Sequence, residues 1–68
     1  MKLKHKYLAG QYLLIEPMVD PHFPRHSAVM HVRQEGRKGT TFSALKANFA
    51  DCITYAKAYG YDVPIGVY

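Results

Sequence analysis

The chain has 68 residues, of which 49% are hydrophobic and 21% charged, a composition typical of a folded globular protein that excludes a disordered one. This length makes one small domain, residues 1–68, which buries only about 60% of the surface of its unfolded state, and it excludes a second domain. Nine Lys and Arg against five Asp and Glu leave a net charge of +4, which suits binding to nucleic acid, to an acidic protein surface or to an anionic membrane, and also favours solubility.

The first strand signal is the strict alternation over residues 1–7, in which lysines alternate with apolar and aromatic residues. The most apolar run of the chain follows at Tyr12 to Met18. Two arrangements fit this segment. Either residues 2–8 and 12–16 form a hairpin, or residues 1–10 are a loose basic arm that precedes the first strand. The two-residue period of residues 1–7 is that of a strand, so the hairpin is favoured over the loose arm.

A loop and a second hairpin are predicted in the middle of the chain. Residues 20–26 contain two prolines and show no periodicity, so they read as a stiff loop. Residues 28–33 alternate as a half-buried strand does, and residues 34–39 form a polar turn with two glycines. Strand character resumes at residues 40–42, which completes the hairpin.

The strongest signal is an amphipathic helix within residues 41–60. Apolar residues recur there at the three- and four-residue spacings of one helix face: Phe42, Leu45, Phe49, Cys52, Ile53, Ala56 and Tyr59. Asn48 followed by Asp51 has the spacing of a capping box, which places the start between residues 46 and 48. Gly60 can adopt the left-handed conformation that ends a helix.

After the helix, residues 61–68 alternate again, although Pro64 would confine this strand to a sheet edge. The order of elements is therefore strands, one helix and a short strand. The fold class predicted is α+β, with a small antiparallel sheet of three to five short strands packed by one amphipathic helix in the C-terminal half.

No pattern indicates catalysis, a metal or a cofactor. The sequence has no paired carboxylates, glycine-rich phosphate loop or Gly-x-Ser-x-Gly element, and the one thiol, Cys52, lies on the apolar helix face. His22, His26 and His31 near Asp20 offer zinc ligands, but a rigid proline loop does not gather them on one face. We therefore expect a protein that is not an enzyme, with no metal site and no cofactor.

The compartment predicted is the cytoplasm, with no membrane association. A single cysteine has no partner for an internal disulfide, which favours a reducing compartment. No apolar run approaches the roughly 20 residues that span a bilayer, and the basic start lacks the features of a signal peptide.

Two classes of partner remain open, and the first is nucleic acid. A basic set could converge if both hairpins share a sheet: Lys4, Lys6, Arg33, Arg37 and Lys38. The order of a basic sheet followed by a helix resembles that of AP2-type and integrase arm-binding domains, which read DNA with strands. The resemblance is one of element order, and the basic set itself predicts a sheet-based DNA- or RNA-binding module as the alternative function.

The second class, which the sequence favours, is a protein partner. Small residues on the outer helix face would allow close approach, and tyrosines concentrate at the helix end. The predicted contact set is Phe23, Arg25, Tyr55, Lys57 and Tyr59. A small core also makes a homodimer plausible. Compact chains without catalytic residues are typical of accessory regulators and inhibitors, such as those of phages and mobile elements, and this is the function predicted.

Overall fold

The computed structural model describes residues 1–67, which form a four-stranded antiparallel sheet and one helix, so the predicted α+β class is confirmed. The strands lie in the order in which they occur in the chain, because each is joined to the next as a hairpin. The elements are β1 Lys2–Lys4, β2 Gln11–Pro17, β3 Ala28–Gln34, β4 Phe42–Lys46 and α1 Phe49–Ala58. No helix among the described residues is long and apolar enough to cross a membrane.

The sheet has one covered and one open face, and the strand register decides which residues lie on each. Leu13 lies opposite Leu3 on one side and Val32 on the other, so these three side chains share a face. Helix α1 packs on that face and completes the core. The buried residues are Leu3, Leu13, Ile15, Ala28, Met30, Val32, Cys52, Ile53, Ala56 and Tyr61.

Helix α1 begins and ends where its capping signals predict. The side chain of Asn48 accepts a hydrogen bond from the backbone N–H of Asp51 at 2.9 Å. Gly60 has a φ of 86°, the left-handed conformation that closes a helix. The expectation that Phe42 and Leu45 extend the helical stripe is wrong, because both lie in β4. Apolar spacing alone cannot separate a strand end from the first turn of a helix.

The N-terminal segment and the segment after the helix pair at the outer edge of β1. His5 forms an isolated bridge with Tyr61, flanked by hydrogen bonds from Lys6 N to Gly60 O at 2.9 Å and from Asp62 N to Lys4 O at 2.8 Å. Residues 1–10 are therefore not a loose arm but half of a hairpin that the chain after the helix covers.

The predicted strand over residues 61–68 is not found within the described residues, which end before Tyr68. Pairing stops at Tyr61 because Pro64 has no N–H to donate, and Val67 N instead donates to Pro64 O across a turn. Ile65, which the alternation placed in this strand, is fully exposed.

Candidate docking site

The connection between β1 and β2 is organised by one imidazole ring. Nδ1 of His5 accepts hydrogen bonds from the backbone N–H groups of Tyr7 and Leu8, both at 3.0 Å. Because Nδ1 accepts, the proton lies on Nε2, which donates to the carbonyl oxygen of Tyr59 at 2.8 Å. The ring also meets Tyr61 edge-on, with centroids 4.9 Å apart. His5 thus ties the first loop to the end of the helix.

Two tyrosines one helical turn apart form a stack at the C-terminal end of α1. The ring centroids of Tyr55 and Tyr59 are 4.3 Å apart, with an angle of 25° between the planes. The Nζ atom of Lys46 lies 5.7 Å from the ring centroid of Tyr55. Burial raises the pKa of the Tyr55 hydroxyl, while the Tyr59 ring faces outward. Contacts within the chain therefore hold both rings in place.

The first loop, the tyrosine stack and the sheet together border a shallow, open cleft of about 310 Å³, called the aromatic cleft below. Its lining residues are His5, Leu8, Gln11, Val32, Phe42, Tyr55, Tyr59 and Tyr61. Three of its large apolar side chains remain about half exposed: Leu8 at 51%, Phe42 at 48% and Tyr59 at 60%. A cleft rimmed by accessible apolar side chains can accept an apolar group from another molecule.

The structure divides the predicted protein-contact set into two groups. Tyr55 and Tyr59 line the aromatic cleft, and Lys57 lies on the exposed side of the same helical turn. Phe23 and Arg25 lie in the exposed loop between β2 and β3, at the far end of the sheet. The seven-residue β2–β3 ladder between these ends is roughly 20 Å long. These groups therefore do not form one compact contact surface.

Two of the five residues of the predicted basic set, Lys4 and Arg33, lie on the face of the sheet that the helix leaves uncovered, called the open sheet face below. Lys4 and Arg33 lie on either side of Tyr12, directly opposite it on the neighbouring strands. The flanking Lys2 places its Nζ atom 4.3 Å from the ring centroid of Tyr12. Arg37 and Lys38 extend from the exposed turn after β3, and Lys6 lies beyond the end of β1.

A row of three polar side chains on the open sheet face has no signal in the sequence. Nδ1 of His31 and Oγ of Ser43 are 2.6 Å apart, and Nε2 of His31 lies 3.7 Å from Glu16 Oε1. Each residue is on a different strand, so only the register reveals their proximity. The exposed carboxylate lies beyond hydrogen-bonding distance of the ring, and the Ser43–His31 pair acts as a cross-strand link between β3 and β4.

The side chains that could bind a metal are dispersed, and the one thiol is buried. Among residues 1–67, no three His, Cys, Asp or Glu side chains come together as a candidate metal site. Cys52 is completely buried, and that burial raises the pKa of its thiol, so the reactive thiolate is disfavoured.

Comparisons of the chain with protein-family models, with curated proteins and with solved structures found no match in any of the three.

Proposed function

We propose that this chain is a non-enzymatic accessory regulator or inhibitor that docks onto a protein through the aromatic cleft. The observation that carries this proposal is the half exposure of Leu8, Phe42 and Tyr59 around one cleft. Large apolar and aromatic side chains held in water are enriched at the centres of protein interfaces, where their burial supplies most of the binding free energy.

The partner would present an apolar side chain to the cleft with carboxylates beside it. The Nζ atom of Lys46 lies 5.7 Å from the ring of Tyr55, which lines the cleft, and Lys57 is exposed on the helical turn that carries Tyr55 and Tyr59. The net charge of +4 adds a longer-range attraction. An acidic rim on the partner would therefore speed encounter, while the apolar contact would set the dissociation rate.

The rigidity of the site favours binding at low entropic cost. The Tyr55–Tyr59 stack and the three hydrogen bonds made by the His5 ring already hold the walls of the cleft. Freezing a free side chain at an interface costs about 0.5–1.5 kcal/mol, so groups ordered in advance retain more of their contact energy. The bound chain would block the surface that it covers, which is how a small protein without catalytic residues inhibits or regulates.

The test compares two aromatic truncations at opposite ends of the molecule. Proteins captured by the immobilised wild-type chain are quantified against those captured by Tyr59→Ala and by the matched control Phe23→Ala, whose side chain is also exposed. A captured protein is then purified and its affinity for each variant is measured by calorimetry. We expect Tyr59→Ala to weaken binding at least tenfold, or about 1.4 kcal/mol, and Phe23→Ala to leave it unchanged. The reverse pattern would move the contact to the β2–β3 loop and overturn the cleft assignment.

A second candidate function, binding of DNA or RNA, is favoured by the Lys4–Tyr12–Arg33 row on the open sheet face. Lysine and arginine neutralise phosphates, and an aromatic ring between them can stack a base for about 1–3 kcal/mol. The assay is binding to mixed-sequence DNA and RNA across a salt series. Steep weakening with salt, together with loss on the double change Arg37→Glu and Lys38→Glu, would support this function. An absence of binding at low salt would exclude it.

A further inference from the structure

Among residues 1–67, no strand pairs with the outer edge of β4. In the β2–β3 ladder, hydrogen-bonded pairs alternate with non-hydrogen-bonded pairs. Glu35 N donates to Gly10 O at 2.8 Å, so the odd-numbered residues of β3 are the ones that bond to β2. The even-numbered residues of β3 therefore direct their backbone groups toward β4. By the same alternation, the N–H and C=O groups of Ser43 and Leu45 point away from the sheet.

The opposite edge is occupied at the end of β1. Residues 60–62 pair there, since Gly60 O accepts from Lys6 N and Asp62 N donates to Lys4 O, which leaves Lys2 as the only residue of β1 with outward backbone groups not covered by that segment. Within residues 1–67, β4 is consequently the edge at which a further strand can add. Because the free part of the β1 edge is a single residue, too short for a ladder, edge-to-edge association through β4 ends at two copies instead of growing into a filament.

We infer that β4 pairs antiparallel with β4 of a second copy of this chain, which would form a two-fold symmetric dimer with a continuous eight-stranded sheet. One register pairs all five residues, with Ala44 facing its own symmetry mate. In that register Ser43 and Leu45′ exchange backbone hydrogen bonds, and Phe42 faces Lys46′. No like charges meet, and a half-exposed phenylalanine gains a cation beside its ring.

The surface area of the monomer supports self-association. The chain exposes 4832 Å², whereas a compact monomer of its mass exposes about 4300 Å². The molecule is a slab of 36 × 30 × 15 Å, because one helix on one sheet face makes only two layers. A dimer interface of standard size removes roughly 600–1,000 Å² from each copy, which is of the same order as this excess.

The helices do not obstruct the pairing. Helix α1 packs against β2, β3 and β4 and is therefore centred over β3. In the dimer, β3 and β3′ would lie three strand spacings apart, or roughly 14 Å. A helix with its side chains is about 10–12 Å across, so two helices fit side by side on the same face. This dimer shares Phe42 with the rim of the aromatic cleft but does not use the tyrosine stack. The Leu45 variants below therefore test the dimer, whereas Tyr59→Ala tests the cleft.

The first test removes one outward N–H without disturbing the ladder to β3. Light scattering over a concentration series into the millimolar range should show the mass rising from 7.7 kDa toward twice that value. Leu45→Pro should stay monomeric with an unchanged circular dichroism spectrum, because proline is tolerated on an edge strand. The control Leu45→Ala keeps the N–H and should still dimerise. A wild-type chain that is monomeric throughout, or a folded Leu45→Pro chain that still dimerises, would overturn the inference.

The second test fixes the register and does not depend on the folding of a proline variant. Ala44→Cys places two thiols at a non-hydrogen-bonded pair, where Cα atoms lie about 4.5 Å apart and a disulfide can form. The native Cys52 is buried and should not cross-link. We expect mild oxidation to convert most Ala44→Cys chains into a covalent dimer while the exposed control Lys38→Cys reacts far less. Equal cross-linking of both variants would refute the register.

Discussion

Replacing His5 with alanine should destabilise the fold more than its half-buried position suggests. The change removes two hydrogen bonds accepted by Nδ1, one donated by Nε2 and the edge contact with Tyr61. Hydrogen bonds contribute about 0.5–1.5 kcal/mol each and an aromatic pair a similar amount, and water replaces part of this at a half-buried site. We expect the free energy of unfolding to fall by about 2–4 kcal/mol, a large share for a domain of this size.

Urea denaturation followed by circular dichroism measures this loss, and two variants separate its causes. His5→Phe keeps a ring against Tyr61 but has no nitrogens, so it should recover only the aromatic part, about 0.5–1.5 kcal/mol. His22→Ala removes an exposed imidazole from the proline loop and should change stability by less than about 0.5 kcal/mol. If His5→Ala were no more harmful than His22→Ala, the assignment of His5 as the link between loop and helix would be refuted.

Three further predictions concern the helix cap, the thiol and the surface ion pair. Asn48→Ala should lower the free energy of unfolding by about 1 kcal/mol in urea denaturation, whereas Asn48→Asp, which keeps an acceptor, should not. Cys52 should react slowly with iodoacetamide in the native state and rapidly in urea, and fast native reaction would contradict its burial. Lys2 lowers the pKa of Glu35, so their contribution to stability should be present above the ordinary value of 4.5 and be lost as pH falls below it. Glu35→Gln should flatten that part of a melting-temperature profile, and an unchanged profile would show that the exposed pair contributes nothing.

The sequence by itself determined the elements whose causes are local. The helix is set by Asn48 at its start, Gly60 at its end and the apolar spacing between them, all of which act within a few residues. The second hairpin follows from the polar glycine turn between β3 and β4. Because both signals agree with the period of their segments, the α+β class could be predicted without knowledge of the packing.

The tertiary structure alone decided which distant segments meet. The alternation over residues 61–68 predicted a strand, but pairing depends on a partner edge and on free N–H groups, and it ends at Tyr61. The sequence predicted one contact set that joins Tyr55 and Tyr59 to Phe23, but it did not reveal their separation, which the length of the β2–β3 ladder imposes. The aromatic cleft joins residues up to 56 positions apart, from His5 to Tyr61. Composition and periodicity describe neighbours along the chain, whereas such contacts exist only once the register of the strands and the path of the helix are set.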